Sequence, residues 1–133
     1  MKDILYRNIK VELRKSNLHG YGVFANDNIK KGEIIEECYF IKLDKKIDEL
    51  DQYKFNWPRY PKNPINLAMP FGYACIYNTA SKEKKEQEQN ADWITDEKNE
   101  LFIFKAVKDI QKDEELLIYY GDDWFKYHKN LNI

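Results

Sequence analysis

Residues 114–125 read EELLIYYGDDWF, a stretch in which an apolar run leads into two adjacent tyrosines and a glycine. The residues before the glycine predict a strand, since a short apolar run that ends at a turn residue is typical of one. Side chains alternate across a strand, so Tyr119 and Tyr120 are expected on opposite sides, with Ile118 on the side of Tyr120. The residues after the glycine predict a short helix.

Length and composition describe a single compact domain with a real core. The chain has 133 residues, of which 43% are hydrophobic and 15% aromatic, and this composition argues against disorder. The net charge of −1 provides no global basic field, so direct nucleic-acid binding is not expected. No apolar run has the length of a signal peptide or a membrane span, which predicts a soluble, intracellular protein without a membrane partner.

The two cysteines are expected to be buried thiols. Cys38 and Cys75 lie inside apolar, strand-like runs, where a free cysteine behaves as a small hydrophobic residue. A disulfide is not expected in a reducing compartment, and the absence of a CxxC pair argues against a zinc cluster.

Few residues suggest acid–base or metal chemistry. The two histidines are His19, in a glycine turn, and His128, in a polar tail, and both are expected to be solvated. Metal ligation by Asp122 and Asp123 is open, but an N-cap of the short helix is the favoured interpretation. No metal site is therefore predicted.

The remaining patterns predict a mostly β chain. Strand-like segments outside the opening stretch are residues 10–14, 23–25, 34–43, 71–78 and 100–107. Residues 44–57 predict a short helix, because apolar residues fall at helical spacing and Pro58 ends the run. The proline-rich residues 58–64 and the charged residues 81–89 predict loops.

One internal similarity relates two turns. NIKKGEII (28–35) and DIQKDEELL (109–117) align at an offset of 81 residues, which matches Ile29 with Ile110. Each turn precedes a strand, so a repeated strand–turn–strand unit would favour a body of several small sheets, although chance similarity remains the alternative.

Four segments, in order, resemble motifs of the SET-domain lysine methyltransferases. They are HGYGVFA (19–25), IKKGEIIEE (29–37), GYACIYNTA (72–80) and EELLIYYGDDWF (114–125). The resemblance spans nearly the whole chain and lacks the cysteine-rich flanks of many members, so it is closest to the minimal viral and bacterial SET proteins. It implies a single SET domain over residues 1–133, with a variable helical insert at about 44–64 and a charged insertion at about 81–89.

The resemblance implies a fold and a reaction. The fold is the β-clip of SET domains, with several short sheets, a threaded C-terminal segment and a short inserted helix. The activity is transfer of a methyl group from S-adenosylmethionine to a lysine of a protein or peptide, histone or another basic protein. The C-terminal residues or a second chain would cover the site, so a homodimer is left open.

The resemblance also assigns residues. Tyr120 matches the catalytic tyrosine, and Tyr53 and Ile118 are expected with it in the substrate channel. An aliphatic residue at 118 favours di- or trimethylation. The expected cofactor-binding residues are His19, Gly20, Tyr21, Gly22, Asn78, Thr79, Tyr120 and Trp124, with the glycine turn acting mainly through its backbone. For Trp124, packing in the core is an equally open interpretation.

Two departures from the family pattern leave a second function open. The usual Asn-His-Ser is Asn78-Thr79-Ala80 here, and the asparagine that usually follows a proline is matched by Asn90. An alternative to the active enzyme is therefore a catalytically weak or inactive SET-like module that binds peptides. A small β domain with an accidental resemblance is a third interpretation.

Overall fold

The computed structural model describes residues 1–44, 53–60, 66–84 and 87–127. Within these ranges the chain forms ten short strands and one short helix, so the fold is mostly β. In chain order the elements are β1 (Val11–Lys15), β2 (Tyr21–Ala25), β3 (Ile34–Cys38), β4 (Phe40–Leu43), β5 (Phe55–Trp57), β6 (Asn66–Pro70), β7 (Asn78–Thr79), β8 (Ala91–Asp96), β9 (Leu101–Ala106), β10 (Glu115–Ile118) and α1 (Asp122–Tyr127). None of the described helices is long and apolar enough to cross a membrane.

The chain divides into two compact units. The first contains Met1–Asn8, Ile34–Cys75 and Trp93–Phe104, and the second contains Ile9–Glu33, Ile76–Asp92 and Lys105–Ile133. In the first unit β4, β6 and β5 form an antiparallel sheet, and most of a second sheet, ordered β3-β9-β8, also belongs to it.

The core of the first unit is aromatic. The Phe102 ring lies 5.3 Å from those of Phe40 and Trp57 and 5.6 Å from that of Phe55. These pairs are edge-on or tilted, the arrangements that aromatic quadrupoles favour. This cluster buries several of the large aromatic residues that the composition provides.

The second unit contains a four-stranded sheet in the order β1-β2-β10-β7. β2 pairs antiparallel with both β1 and β10, whereas β10 and β7 are parallel, with Leu117 opposite Asn78 and Ile118 opposite Thr79. Strand β10, predicted from the opening stretch, therefore joins the glycine turn before β2 to the Asn78 segment.

The two similar turns of the sequence meet in the second unit. Ile29 and Ile110 form an antiparallel bridge, in which each N–H donates to the carbonyl of the other at 2.8 and 2.7 Å. The equivalence extends to side chains: the Lys31 N–H donates to Asp109, and the Lys112 N–H donates to Asn28. The similarity at an offset of 81 residues thus corresponds to two turns with reciprocal hydrogen bonds.

Two predictions about elements are corrected. The helix predicted over 44–57 is wrong at its end, where Phe55–Trp57 form β5, and residues 45–52 lie outside the described residues. The strand predicted over 71–78 is mostly wrong, because residues 72–76 form turns and only Asn78 joins a strand.

The predicted N-cap is also displaced. The helix α1 forms as expected but begins at Asp122, so Gly121 precedes its first residue. The Asp122 carboxylate accepts hydrogen bonds from Lys82 and Tyr119 instead of capping the helix.

Candidate active site

The end of β10 and the short strand β7 bring Tyr120 close to the Asn78 segment. The Tyr120 hydroxyl donates a hydrogen bond to the backbone carbonyl of Tyr77 at 2.6 Å. The Tyr120 N–H donates to the Thr79 hydroxyl oxygen at 3.1 Å, and that hydroxyl donates to the Ala80 carbonyl at 3.0 Å. A phenol hydroxyl that follows β10 and a backbone carbonyl that precedes β7 are therefore held together.

The helix α1 packs on this tyrosine. The Trp124 ring meets the Tyr120 ring edge-on, with 4.8 Å between the ring centroids and an interplanar angle of 72°. Gly121 makes the tight connection between strand and helix with a φ of 103°, which non-glycine residues rarely adopt. Trp124 therefore packs against Tyr120, while its stacking on an adenine remains a prediction.

Tyr119 has different partners, as the alternation of side chains predicts. Its ring stacks on Phe125 at 5.7 Å, and its hydroxyl donates to the Asp122 carboxylate, which also accepts from Lys82 at 2.9 Å. The hydrogen bond to Asp122 raises the pKa of the Tyr119 phenol. The bonds from Tyr119 and Lys82 lower the pKa of Asp122, because they stabilise its charged form.

Asn78 joins its strand to the glycine loop, which is defined here as residues 16–22. Its side-chain Nδ2 donates to Glu115 Oε2 at 2.7 Å, to the His19 carbonyl at 3.0 Å and to the Tyr21 carbonyl at 3.4 Å. Since the amide nitrogen faces these acceptors, the amide oxygen Oδ1 is directed the other way and presents an acceptor. The side chain of Asn78 is only 3% exposed.

Ser16 organises the same loop from its other end. Its hydroxyl donates to Glu115 Oε1 at 2.7 Å and accepts from the N–H groups of Leu18 and His19 at 2.9 and 3.4 Å. Its own N–H donates to the Gly20 carbonyl at 2.8 Å. The loop is thus closed on itself and attached to β10 through one carboxylate.

The predicted cofactor-binding residues are partly brought together. Asn78 contacts the carbonyls of His19 and Tyr21, and both of these residues have exposed side chains. The exposed imidazole of His19 agrees with the prediction that it is solvated. Open space surrounds Gly20 where a side chain would begin, so this part of the loop is accessible to a ligand.

The predicted channel residues are placed less completely. Ile118 is buried in the second unit, with 1% exposure. Tyr53 belongs to the first unit and lies in a turn before β5, where its carbonyl accepts the Cys75 thiol at 3.5 Å. Their roles in a substrate channel remain predictions.

Asn90, expected to match the family asparagine, binds the backbone of β10. Its side chain donates to the Glu115 carbonyl at 3.0 Å and accepts from the Leu117 N–H at 2.8 Å. This amide therefore stabilises the strand that leads to Tyr120.

The thiols and the acidic residues offer no obvious reactive centre. Burial raises the pKa of the Cys38 thiol, and Glu36 raises it further. Burial likewise raises the pKa of Cys75 to about 11, so both thiols are protonated near neutral pH. Across the described ranges, no group of three or more potential metal-binding side chains is close enough to hold an ion.

Sequence reasoning missed three functional groups: the Ser16 hydroxyl, the Glu115 carboxylate and the Tyr77 carbonyl. Glu115 and Tyr77 lie inside the quoted motifs, but neither received a role. Only the structure shows the close approach of Glu115 to Gly22, where an added Cβ would overlap the carboxylate.

Comparisons with known proteins identify the family of the chain. The sequence model of the SET-domain family matches residues 20–121, which is most of the chain. A search of curated protein sequences gave no match. The chain belongs to the SET-domain family.

Solved structures define the class more closely. A Plasmodium falciparum protein, described as a candidate histone methyltransferase, is similar with a TM-score of 0.68 and 31% identity over 87% of this chain and 96% of that chain. The Neurospora histone lysine methyltransferase DIM-5 has a TM-score of 0.64 and 18% identity over 87% of this chain and 54% of its own. ATXR5, solved with histone H3.1, has a TM-score of 0.68 and 17% identity over 85% of this chain and 57% of its own. DIM-5 and ATXR5, at only 18% and 17% identity, support the fold alone. The family match and the Plasmodium protein define the class as that of the SET-domain methyltransferases.

Proposed function

We propose that this chain is a protein-lysine N-methyltransferase that takes its methyl group from S-adenosylmethionine. The observation that carries the proposal is the hydrogen bond from the Tyr120 hydroxyl to the Tyr77 carbonyl, beside Asn78 and the glycine loop. The two oxygens form a polar pair that can orient an amine. Membership of the SET-domain family supports a role of this pair in methyl transfer.

The residues present fit the cofactor. Its methionine part carries a cationic amine, and the His19 and Tyr21 carbonyls are acceptors on the side of the Asn78 nitrogen, while the Asn78 amide oxygen is an acceptor on the other side. Thr79 offers backbone groups in place of the usual histidine, and its hydroxyl holds the N–H of Tyr120. When bound, S-adenosylmethionine supplies an electrophilic methyl group on its sulfonium.

The chain's own residues would orient the lysine and favour its neutral form. A free lysine has a pKa near 10.4, so only roughly one in 2,500 is neutral at pH 7. Transfer to a less polar site beside aromatic rings such as Trp124 and Tyr120 lowers that pKa. The Tyr120 hydroxyl can then accept one N–H of the amine and direct its lone pair.

The substrate class follows from the same chemistry. We propose a lysine-bearing protein or peptide, with histone H3 as the first probe because ATXR5 was solved with it. Ile118 has no hydroxyl to hold a water, so we expect di- or trimethylated products. Thr79 stands where the resemblance expects a histidine, and its hydroxyl accepts the Tyr120 N–H, which favours an active enzyme over an inactive module.

The test combines binding and turnover. Calorimetry with S-adenosylmethionine and with its demethylated product measures binding, and radiolabelled transfer to histones and cell lysate measures activity. Mass spectrometry then identifies the labelled lysine and its degree of methylation. Failure to bind either cofactor form would contradict the proposal, whereas peptide binding without transfer would favour the inactive module.

A further inference from the structure

The Glu115 carboxylate connects its own strand β10 with the glycine loop and the Asn78 segment, which are all distant in sequence. It accepts from the Ser16 hydroxyl at 2.7 Å and from the Asn78 amide at 2.7 Å, one on each oxygen. It also occupies the space beside Gly22, where a Cβ would overlap Oε2. Glu115 is thus bonded to both the beginning of the glycine loop and the asparagine that binds the carbonyls near its end.

The loop depends on these polar bonds because part of it lacks close packing. Asn17 and Leu18 line a cavity of about 380 Å³, together with Glu115 and other residues of the second unit. A segment that borders a cavity gains little from apolar contacts on that side. The side-chain hydrogen bonds of Ser16 and Asn78 therefore add to the β1–β2 pairing in holding the loop, and each of these side chains is itself bonded to Glu115.

The hydrogen bonds to Glu115 also fix the orientation of the Asn78 amide and of the glycine loop, both of which are expected at the cofactor. With Nδ2 of Asn78 held by Glu115 and the His19 carbonyl, the amide cannot turn without losing both partners. With the Ser16 hydroxyl proton given to Glu115, the oxygen remains an acceptor for the N–H groups of Leu18 and His19. The carboxylate thereby sets the directions in which the loop carbonyls and the Asn78 oxygen point.

We propose that Glu115 is a positioning residue for the cofactor: it holds the glycine loop and Asn78 in the arrangement that binds S-adenosylmethionine and takes no part in the transfer itself. The inference rests on the proposed function. It predicts a selective defect in cofactor binding, since the lysine side of the site depends on Tyr120 and Tyr77 instead.

The experiment compares Glu115→Gln, Ser16→Ala and their double variant with a matched control, Glu114→Gln. A glutamine cannot accept from both donors, because one of its terminal atoms is an NH₂ group. Glu114 is the adjacent, exposed carboxylate, and its bond to the Gln111 N–H can be kept by a glutamine oxygen. Calorimetry gives Kd for S-adenosylmethionine, and steady-state kinetics separate KM for the cofactor, KM for a histone H3 peptide, and kcat.

The expected result is a cofactor-specific change. Glu115→Gln and Ser16→Ala should each raise Kd and KM for S-adenosylmethionine by about tenfold or more, the loss expected for a hydrogen bond to a charged group. The value of kcat at saturating cofactor should stay within about threefold, and KM for the peptide should not change. The double variant should resemble Glu115→Gln, because both changes remove one shared interaction.

A cofactor-independent measurement separates this inference from the proposed function. Hydrogen exchange of the Leu18 and His19 amides should become faster in Glu115→Gln and remain unchanged in Glu114→Gln. Wild-type Kd and wild-type exchange in Glu115→Gln would overturn the positioning role while leaving the proposed function intact. If the wild-type chain binds no cofactor, the proposed function and the cofactor role both fail, and faster exchange would then show only that Glu115 holds the loop.

Discussion

At the scale of single residues, the Tyr120 hydroxyl is the group on which the proposed transfer depends. We expect Tyr120→Phe to lower kcat by about 100-fold or more, because it removes the hydroxyl that accepts an N–H of the lysine amine, and losses of this size follow removal of one preorganised hydrogen-bonding group from a catalytic site. The change also leaves the Tyr77 carbonyl without this donor, which costs about 1 kcal/mol of stability. Initial rates at saturating cofactor and peptide, together with a urea unfolding curve, measure the two effects.

The neighbouring tyrosine provides the control for this prediction. Tyr119→Phe removes a hydroxyl that donates to the exposed carboxylate of Asp122, so kcat should remain close to the wild-type value. Equal losses in the two variants, or wild-type turnover in Tyr120→Phe, would show that the catalytic tyrosine has been assigned incorrectly.

Thr79 gives a second residue-scale prediction, concerned with stability. Its hydroxyl accepts the Tyr120 N–H and lies at a position that is 4% exposed. Thr79→Val keeps the shape but leaves that N–H without an acceptor, so the free energy of unfolding should fall by about 1–3 kcal/mol. Thr79→Ser retains the hydroxyl and should recover most of the loss. The urea unfolding midpoints of Thr79→Val and Thr79→Ser test this prediction, and equal midpoints would contradict it.

Single residues also show how far the site was predictable. Tyr120 and Asn78 could be located because each lies inside a motif of recognisable spacing. Glu115 could not receive a role, since its partners Ser16 and Asn78 are 99 and 37 residues away. Which donors a polar strand residue meets is decided by strand pairing, and one sequence does not contain that information.

At the scale of elements, the two interlocked turns of the second unit should be equally important for stability. Ile29 and Ile110 are each 1% exposed and exchange backbone hydrogen bonds. Truncating either to alanine should lower the free energy of unfolding by about 2–5 kcal/mol, the usual loss for a buried isoleucine. Chemical denaturation of the two single variants measures this.

The equivalent exposed positions provide matched controls. Lys31 and Lys112 occupy the same place in each turn and contribute only their backbone N–H groups to the described side-chain contacts. Lys31→Ala and Lys112→Ala should therefore remain within about 0.5 kcal/mol of the wild type. A large loss in only one of the isoleucine variants would contradict the structural equivalence of the turns.

The elements that were predicted correctly share a strong local pattern. Strands β1, β9 and β10 alternate or concentrate apolar residues over four or more positions. The segment 71–78 also looks apolar, but Gly72 adopts a φ of 75° in a turn, and tertiary contacts override its strand propensity. Residues 66–70 escaped prediction as β6 because their asparagine and proline are typical of loops.

At the scale of the whole molecule, composition correctly indicates the amount of core but not how it is distributed. The abundance of aromatic residues predicts extensive burial, and the structure places much of it in the cluster around Phe102 in the first unit. The division into two units depends on contacts between segments that are far apart in the chain. Such contacts have no local signature, so neither periodicity nor composition could reveal the division.

The free energy of global unfolding should decrease at alkaline pH because of the two thiols. Burial holds the pKa of Cys75 at about 11 and raises that of Cys38, whereas an unfolded thiol titrates near 8.5. Below about pH 8.5 the thiols are protonated in both the folded and the unfolded protein, so the folded state keeps its full stability. As the pH rises towards 11, the unfolded state loses its protons first, so stability falls by up to about 1.4 kcal/mol per pH unit for each thiol. Urea unfolding measures the free energy of unfolding between pH 7 and 10.5, which should decline less steeply with pH in Cys75→Ala than in the wild type. Parallel pH dependences of the two proteins would show that Cys75 titrates normally in the folded protein.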